Sequence, residues 1–478
     1  MTSKERVLTS FAHKQPDKVP MDFGGMSCSQ IHVTVIDKLR EYYGLEKRPI
    51  EVFDVFTMTG VVDDELKEAI GIDVEMIRPY GNAFGLRNDG NHKTINMWGI
   101  DLLVPAKFET TDDGNGGLLL YPQGDRTAQP SAHMPAGGYY FDAIERGEEV
   151  DEDDLNPDDQ LEQFKPISDD ELAYYKAQAD KYRNSKRAVV LDPGGCALGD
   201  ASQIPGSDLL VPKGIRSVAD WYMAPLLYPE YVHEVFDRQT DLVVENWKKL
   251  HEVLGDVVDV VFLCGTDFGT QISQLCSPAV FDEFYPPYYK KVNDWVHSAT
   301  NWKTLKHSCG AIHPLIGKLI DAGFDALNPV QCSATDMEPE RLKKDFGDNI
   351  LFWGGGVDTQ HILPFGTPEQ VREQVLQRCE IFSKNGGYIF NSIHNVQYGT
   401  PIENVIAMID AVHEFNGDKY LIIPVPFLSV PASAGAPLFL HDFRTSGKDC
   451  AGRDCDENME RERGAFRIRR RGLHCARA

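Results

Sequence analysis

Long apolar runs, disulfide-type cysteine patterns and positive charge are what this chain has least of. No stretch reaches the about 18 apolar residues that a membrane-spanning helix requires. The opening Met1-Thr2-Ser3-Lys4-Glu5-Arg6 runs straight into amphipathic sequence, without the apolar segment of a secretory signal. Both absences predict a cytoplasmic protein. Ten cysteines among 478 residues, irregularly spaced, are too few for a disulfide scaffold. They fit reduced thiols, each a small buried side chain, a ligand or a nucleophile. The 48 lysines and arginines are outnumbered by 73 acidic residues, a net charge of −25. That surface repels phosphate backbones and anionic lipid heads, so neither nucleic acid nor a membrane is expected as a partner.

The charge is unevenly spread. Residues 421–478 hold ten lysines and arginines against seven acidic residues, which leaves 38 against 66 in residues 1–420. The last stretch, with Arg467, Arg469, Arg470 and Arg471, has little apolar periodicity. It reads as an atypical, disordered tail or a read-through in an altered frame, and less well as a basic partner-binding arm.

Residues 1–420 alternate short β-rich runs with longer amphipathic segments, the pattern of a parallel sheet wrapped by helices. Candidate strands at 19–24, 73–78, 188–192, 257–263, 303–307, 324–329, 350–353 and 387–391 number eight, as a closed (β/α)8 TIM barrel requires. Thr367-Pro368-Glu369-Gln370 supplies an N-cap hydroxyl, proline at N1 and glutamine at N3, and Thr400-Pro401-Ile402-Glu403 repeats the device. The segment from about 102 to 186 breaks the alternation. It is glycine- and proline-rich, then carries 14 acidic residues between Asp142 and Glu171 against Arg146 and Lys165. It reads as an insertion on the barrel rim, either covering the mouth or forming a solvated surface hairpin.

Barrel chemistry belongs at the C-terminal strand ends. This rule selects Asp22, the Asp267 loop, His307-Ser308-Cys309-Gly310, the Gly354-Gly355-Gly356-Val357-Asp358 turn and Asn391-Ser392-Ile393-His394. Alternate residues of a strand point the same way, so His307 and Cys309 can converge on one ion, with His394 as a third ligand from the eighth strand. Imidazole and thiolate suit zinc, and three protein ligands leave one position open for substrate. The competing account makes Cys309 a buried small side chain and His394 a hydrogen-bonded residue of the mouth. Asp267, Asp358 and His394 are the candidate catalytic residues, and helix capping is the competing account for each aspartate. Asp22, Gly355, Gly356, Asn391 and Gln271 are the candidate substrate-binding residues, while Cys332 is read as packing.

Glu5-Arg6-Val7-Leu8, Pro16-Asp17-Lys18-Val19-Pro20, Gly354-Gly355-Gly356-Val357-Asp358-Thr359-Gln360 and Thr400-Pro401-Ile402-Glu403-Asn404-Val405 resemble the uroporphyrinogen decarboxylase superfamily over about residues 1–100 and 187–420. The resemblance implies a (β/α)8 barrel and one of two chemistries. Decarboxylases of the family hold a polycarboxylate tetrapyrrole with an arginine-rich loop after the first strand. Here that loop, Met21-Asp22-Phe23-Gly24-Gly25-Met26-Ser27-Cys28-Ser29-Gln30, has no arginine. Unpaired carboxylates entering an acidic protein cost several kcal/mol each. The other branch comprises cobalamin-dependent methyltransferases, which bind zinc through a His-x-Cys pair and a later cysteine.

His307-Ser308-Cys309 looks like that pair, whereas the later cysteine falls on His394, a residue type that the decarboxylases carry there. The resemblance therefore implies zinc-dependent methyl transfer between a small methyl donor or acceptor and a corrinoid carried by a partner protein. A decarboxylase and a non-catalytic corrinoid- or partner-binding barrel are the alternatives.

Overall fold

A computed structural model describes residues 1–418. The atypical segment expected at 421–478 lies outside the described residues.

Seven all-parallel strands form the central sheet in strict chain order: β1 (Val74–Ile77), β2 (Ala188–Leu191), β3 (Val260–Cys264), β4 (Lys303–His307), β5 (Ala326–Asn328), β6 (Leu351–Trp353) and β7 (Tyr388–Ile389). Nearly every strand residue is buried, because helices cover one face and the curl of the sheet closes over the other. The main helices after β2 to β7 are Pro229–Leu254, Pro286–Ala299, His313–Asp321, Pro339–Phe346, Pro368–Ser383 and Ile402–Phe415. Their apolar stripes, such as Val232, Val235, Phe236, Val243, Trp247 and Leu250 on the first, pack against the sheet.

Seven of the eight expected strands are present, mostly shortened by one to three residues. The exception is 19–24. There only Met21 pairs, in a parallel bridge with Phe390. The Asp22 amide donates to the Phe390 carbonyl (2.9 Å) and the Phe390 amide to the Pro20 carbonyl (2.8 Å), while the Asp73 amide donates to the Met21 carbonyl (2.9 Å). This segment thus hydrogen-bonds toward both ends of the curled sheet. Pro20 has no N–H for a ladder, and Gly24 takes a φ of 100°, so regular pairing stops on either side.

The Thr367 capping box is present, with the Gln370 amide donating to Thr367 and the Thr367 amide to Gln370. The second expected cap differs. The last helix begins at Ile402 with Pro401 as its N-cap and no side-chain cap. The Thr400 hydroxyl donates instead to the Gln397 carbonyl at 2.9 Å.

Between β1 and β2 the chain leaves the alternation. His92–Met97 and Ile100–Pro105 join a five-stranded sheet with strands from residues 31–60. Thr110–Asp112, Leu118–Leu120, Ala132–Met134 and Asp142–Ala143 form a separate antiparallel sheet, followed by the helix Asp169–Tyr182. No helix among the described residues is long and apolar enough to cross a membrane.

Candidate functional site

Strand β4 ends in His307, and Cys309 follows two residues on. Their side chains meet, with Cys309 Sγ 3.4 Å from His307 Nε2. The loop after β3 adds Asp267, whose carboxylate lies 3.6 Å from His307 Nε2 and accepts the Cys309 amide at 2.7 Å. Two glycines let these loops touch. A Cβ on Gly310 would fall 2.2 Å from the Gly269 carbonyl carbon, and Gly310 has a φ of 86° that favours glycine. The Ala311 amide donates to the Thr270 carbonyl (2.8 Å), which locks the pair of loops.

His307 has a defined orientation. The register of β4 and β5 puts it opposite Asn328, whose Oδ1 lies 2.6 Å from His307 Nδ1. Asn328 Nδ2 donates to the Trp353 carbonyl (2.9 Å), so its oxygen must face the imidazole and accept. The proton therefore sits on Nδ1, and the Nε2 lone pair points at Cys309 and Asp267. Burial lowers the His307 pKa to about 4, which keeps the ring neutral.

His394 approaches from the loop after β7, its ring centroid 5.2 Å from that of His307. It has a φ of 70°, unusual for a residue with a side chain, and its Nδ1 accepts the Asn395 amide at 2.8 Å. In the neutral ring that bond leaves the proton on Nε2. Burial, reinforced by His307, lowers the His394 pKa to about 4 as well.

The sequence reading missed Cys28. Together with His307 and His394 it places ligand-type atoms within 4.8 Å of one another, and Asp267, His307 and Cys309 form a second such group. Cys28 stands in the arginine-free loop, so its signal was a thiol where the cations were absent. Burial and neighbouring aspartates push the Cys28 thiol well above its ordinary pKa, and burial with Asp267 does the same to Cys309. The 3.4 Å spacing of Cys309 and His307 matches two ligands of one tetrahedral zinc, for which bond lengths near 2.0–2.3 Å imply roughly 3.3–3.8 Å. The donor set thus fits zinc.

Cys28, Asp267 and His394 also line a cavity of about 710 Å³. The other sequence candidates are not among its lining residues. Asp22 is buried, accepting the Gly25 amide (2.7 Å) and Trp353 Nε1 (2.8 Å), and burial raises its pKa to about 6. Asn391 donates through Nδ2 to the Asp22 carbonyl (2.6 Å). Asp358 accepts the Gln360 amide (2.8 Å) and lies 3.0 Å from His361 Nδ1, as a turn cap does. Gly355 and Gly356 donate amides to the Pro329 and Asn391 carbonyls, at 2.8 and 2.9 Å. Gln271 is exposed and bonds to Gln360 and Gln331, the latter accepting the Gly310 amide. None of these six is among the residues that line the cavity.

Residues 209–415 match the uroporphyrinogen decarboxylase (URO-D) family. A methylated-thiol–coenzyme M methyltransferase of Methanosarcina mazei is 28% identical over 211 residues, 43% of this chain and 50% of that protein. A uroporphyrinogen decarboxylase of Ruthia magnifica is 22% identical over 194 residues, 39% of this chain and 50% of its own length. This chain thus spans about half the length of these curated relatives. A solved methyltransferase from Methanosarcina mazei shares the fold, with a TM-score of 0.52 at 16% identity over 87% of this chain and 99% of its own. The contact of the loops after β3 and β4, which joins Asp267 to His307 and Cys309, falls within the residues that match the uroporphyrinogen decarboxylase family model.

Proposed function

We propose that this chain is a zinc-dependent methyltransferase that moves a methyl group between a small sulfur or oxygen compound and a corrinoid protein. The observation that carries the reading is the convergence of His307 Nε2, Cys309 Sγ and the Asp267 carboxylate, at 3.4 and 3.6 Å from the imidazole. These three residues hold the metal. Zinc bound there supplies Lewis acidity to the substrate heteroatom. His394 was the third ligand on sequence grounds, but its ligand atoms group with those of His307 and Cys28 and not with the Cys309 and Asp267 pair. Its Nδ1 is already occupied by the Asn395 amide, so its Nε2–H is better suited to donate to the heteroatom. That bond stabilises the electron pair the heteroatom keeps as the methyl departs. Asn328 fixes the tautomer and tilt of His307. Asp358, Gly355, Gly356, Asn391, Asp22 and Gln271 hold the loops that carry these groups. The two-sided hydrogen bonding at Met21 supports reading the curled sheet as a closed eight-stranded barrel whose mouth opens on this site.

Metal analysis tests the assignment. The purified chain is expected to hold about one zinc, Cys309→Ser to lose most of it, and His394→Ala to keep zinc while losing methyl transfer about 100-fold. Metal-free protein with full activity overturns the reading. Histidine at position 394, as in the decarboxylases, favours a second reading, decarboxylation of a tetrapyrrole. Porphyrinogen turnover without metal or corrinoid supports that alternative.

A further inference from the structure

We propose that the cavity beside His394 and Cys28 receives the ammonium group of a cationic methyl thioether or methyl ether, so that the substrate is a positively charged methyl donor. The inference rests on the methyltransferase reading and specifies its substrate class.

Asp54, Glu171, Asp192, Asp200, Asp208 and Asp267 line the cavity, and Lys165 is the only lysine or arginine among its described lining residues. Asp54, Asp192 and Asp200 are held by backbone amides and hydroxyls. Asp54 accepts from Phe56 and Thr57, Asp192 from Ser27 and Gly194, and Asp200 from Ser202. Asp267 accepts the Cys309 amide. These hydrogen bonds favour the charged carboxylates against the burial that raises the pKa of Asp192 and Asp200, and the field of the charged groups adds in a cavity walled by low-dielectric protein.

Two of them sit at the reacting end. Ser27, the donor to Asp192, adjoins Cys28, and Asp200 Oδ2 lies where a Cβ on Gly265 would be, 2.6 Å away, two residues before Asp267. The rest of the wall is aromatic, with Phe53, Phe56, Tyr175, Trp247 and Phe262, whose ring faces attract cations. Ser207 lines the same cavity, and its buried hydroxyl has no hydrogen-bond partner among the described residues. A ligand N–H satisfies that orphan oxygen. An anionic thiol or sulfonate acceptor would meet six acidic side chains here, whereas an ammonium meets counter-charges and ring faces. The heteroatom then rests at the end of the cavity lined by Cys28, Asp267 and His394, beside His307 and Cys309, and the cationic head reaches toward Asp192 and Asp200.

Calorimetric titration of the full chain with methylthiopropylamine, methyl propyl sulfide and methylthiopropionate tests the proposal. These probes present one methyl thioether with charges of plus one, zero and minus one. The amine is expected to bind about tenfold tighter than the sulfide, and the carboxylate weakest. Raising sodium chloride from about 20 to about 500 mM should shrink the amine's advantage. Asp192→Asn and Asp200→Asn, checked for native circular dichroism, should each weaken the amine about threefold and leave the sulfide unchanged. Equal or tighter binding of the sulfide or carboxylate overturns the proposal. So does an amine advantage that both folded variants retain in full, or no amine binding at about 10 mM. Cys309→Ser is expected to retain the amine preference after losing zinc, so metal content judges the methyltransferase reading and probe charge judges this one.

Discussion

Asn328 lies one strand away from the candidate metal pair, yet it decides which imidazole nitrogen of His307 is free. Its own amide is oriented by the Trp353 carbonyl, and Trp353 in turn donates to Asp22, so three strand ends hold one ring. Asn328→Ala should release the ring and lower zinc affinity about 10–100-fold, measured by competition with a chromophoric chelator. An unchanged affinity would show that the metal lies elsewhere.

Asp22 gives a second test at this scale. Burial raises its pKa from the ordinary 3.8 to about 6, with the bonds from Ser29, Gly25 and Trp353 only partly opposing that rise. A raised pKa means that the folded state holds the proton more tightly than the unfolded chain. The associated stability is full below about pH 4 and is lost as the pH rises through about 6, a change on the order of 3 kcal/mol. Asp22→Asn should flatten that part of the pH profile in urea unfolding at pH 4.5 to 7, and a parallel profile would refute the assignment.

The His307-x-Cys309 pair was legible because both residues lie on one strand end, where a period of two puts them on the same side. Cys28 and Asn328 were not, since their proximity depends on how distant segments close the sheet and on the register of β5 against β4.

Among the elements, the strands most readable from sequence were those buried on both faces, such as β2 and β3, whose apolar runs have few other uses. The 19–24 segment failed as a strand because Pro20 and Gly24 interrupt pairing that composition alone suggested. Thr367 was readable because a capping box is local, while at Thr400 a neighbouring carbonyl took the hydroxyl. Thr367→Ala should cost about 1 kcal/mol, seen as a lower urea midpoint with unchanged slope.

The contact between the loops after β3 and β4 is more demanding. Gly310→Ala places a methyl against Gly269 backbone at a φ of 86°, and neither loop has a flexible side chain there that can yield. The loops must separate, which draws Cys309 from Asp267. The variant should lose more than about 1 kcal/mol of stability and also bind zinc more weakly, whereas a loss of stability with unchanged zinc affinity would detach the glycine contact from the site.

At the scale of the molecule, the alternation of strands and helices was legible, but the folding of residues 31–143 into two additional sheets was not. Most of those strands are short hairpin partners in segments without clear alternation, such as Thr110–Asp112 with Leu118–Leu120, and the pairing that completes the five-stranded sheet joins distant residues, Ile50 with Leu102. Helix-period and strand-period patterns do not encode such pairings. The same scale gives the global test of metal binding. The donor groups come from the ends of β3 and β4, with His394 and Cys28 carried by loops far apart along the described residues, so the unfolded chain cannot present them together. A ligand that binds only the native state adds about 2.7 kcal/mol when free zinc stands at about a hundred times its dissociation constant. Zinc should therefore raise the thermal midpoint by a few degrees and a chelator should lower it, with Cys309→Ser insensitive to both. A midpoint indifferent to metal in the parent chain would mean that the ion, if bound, is not held by residues that only folding brings together.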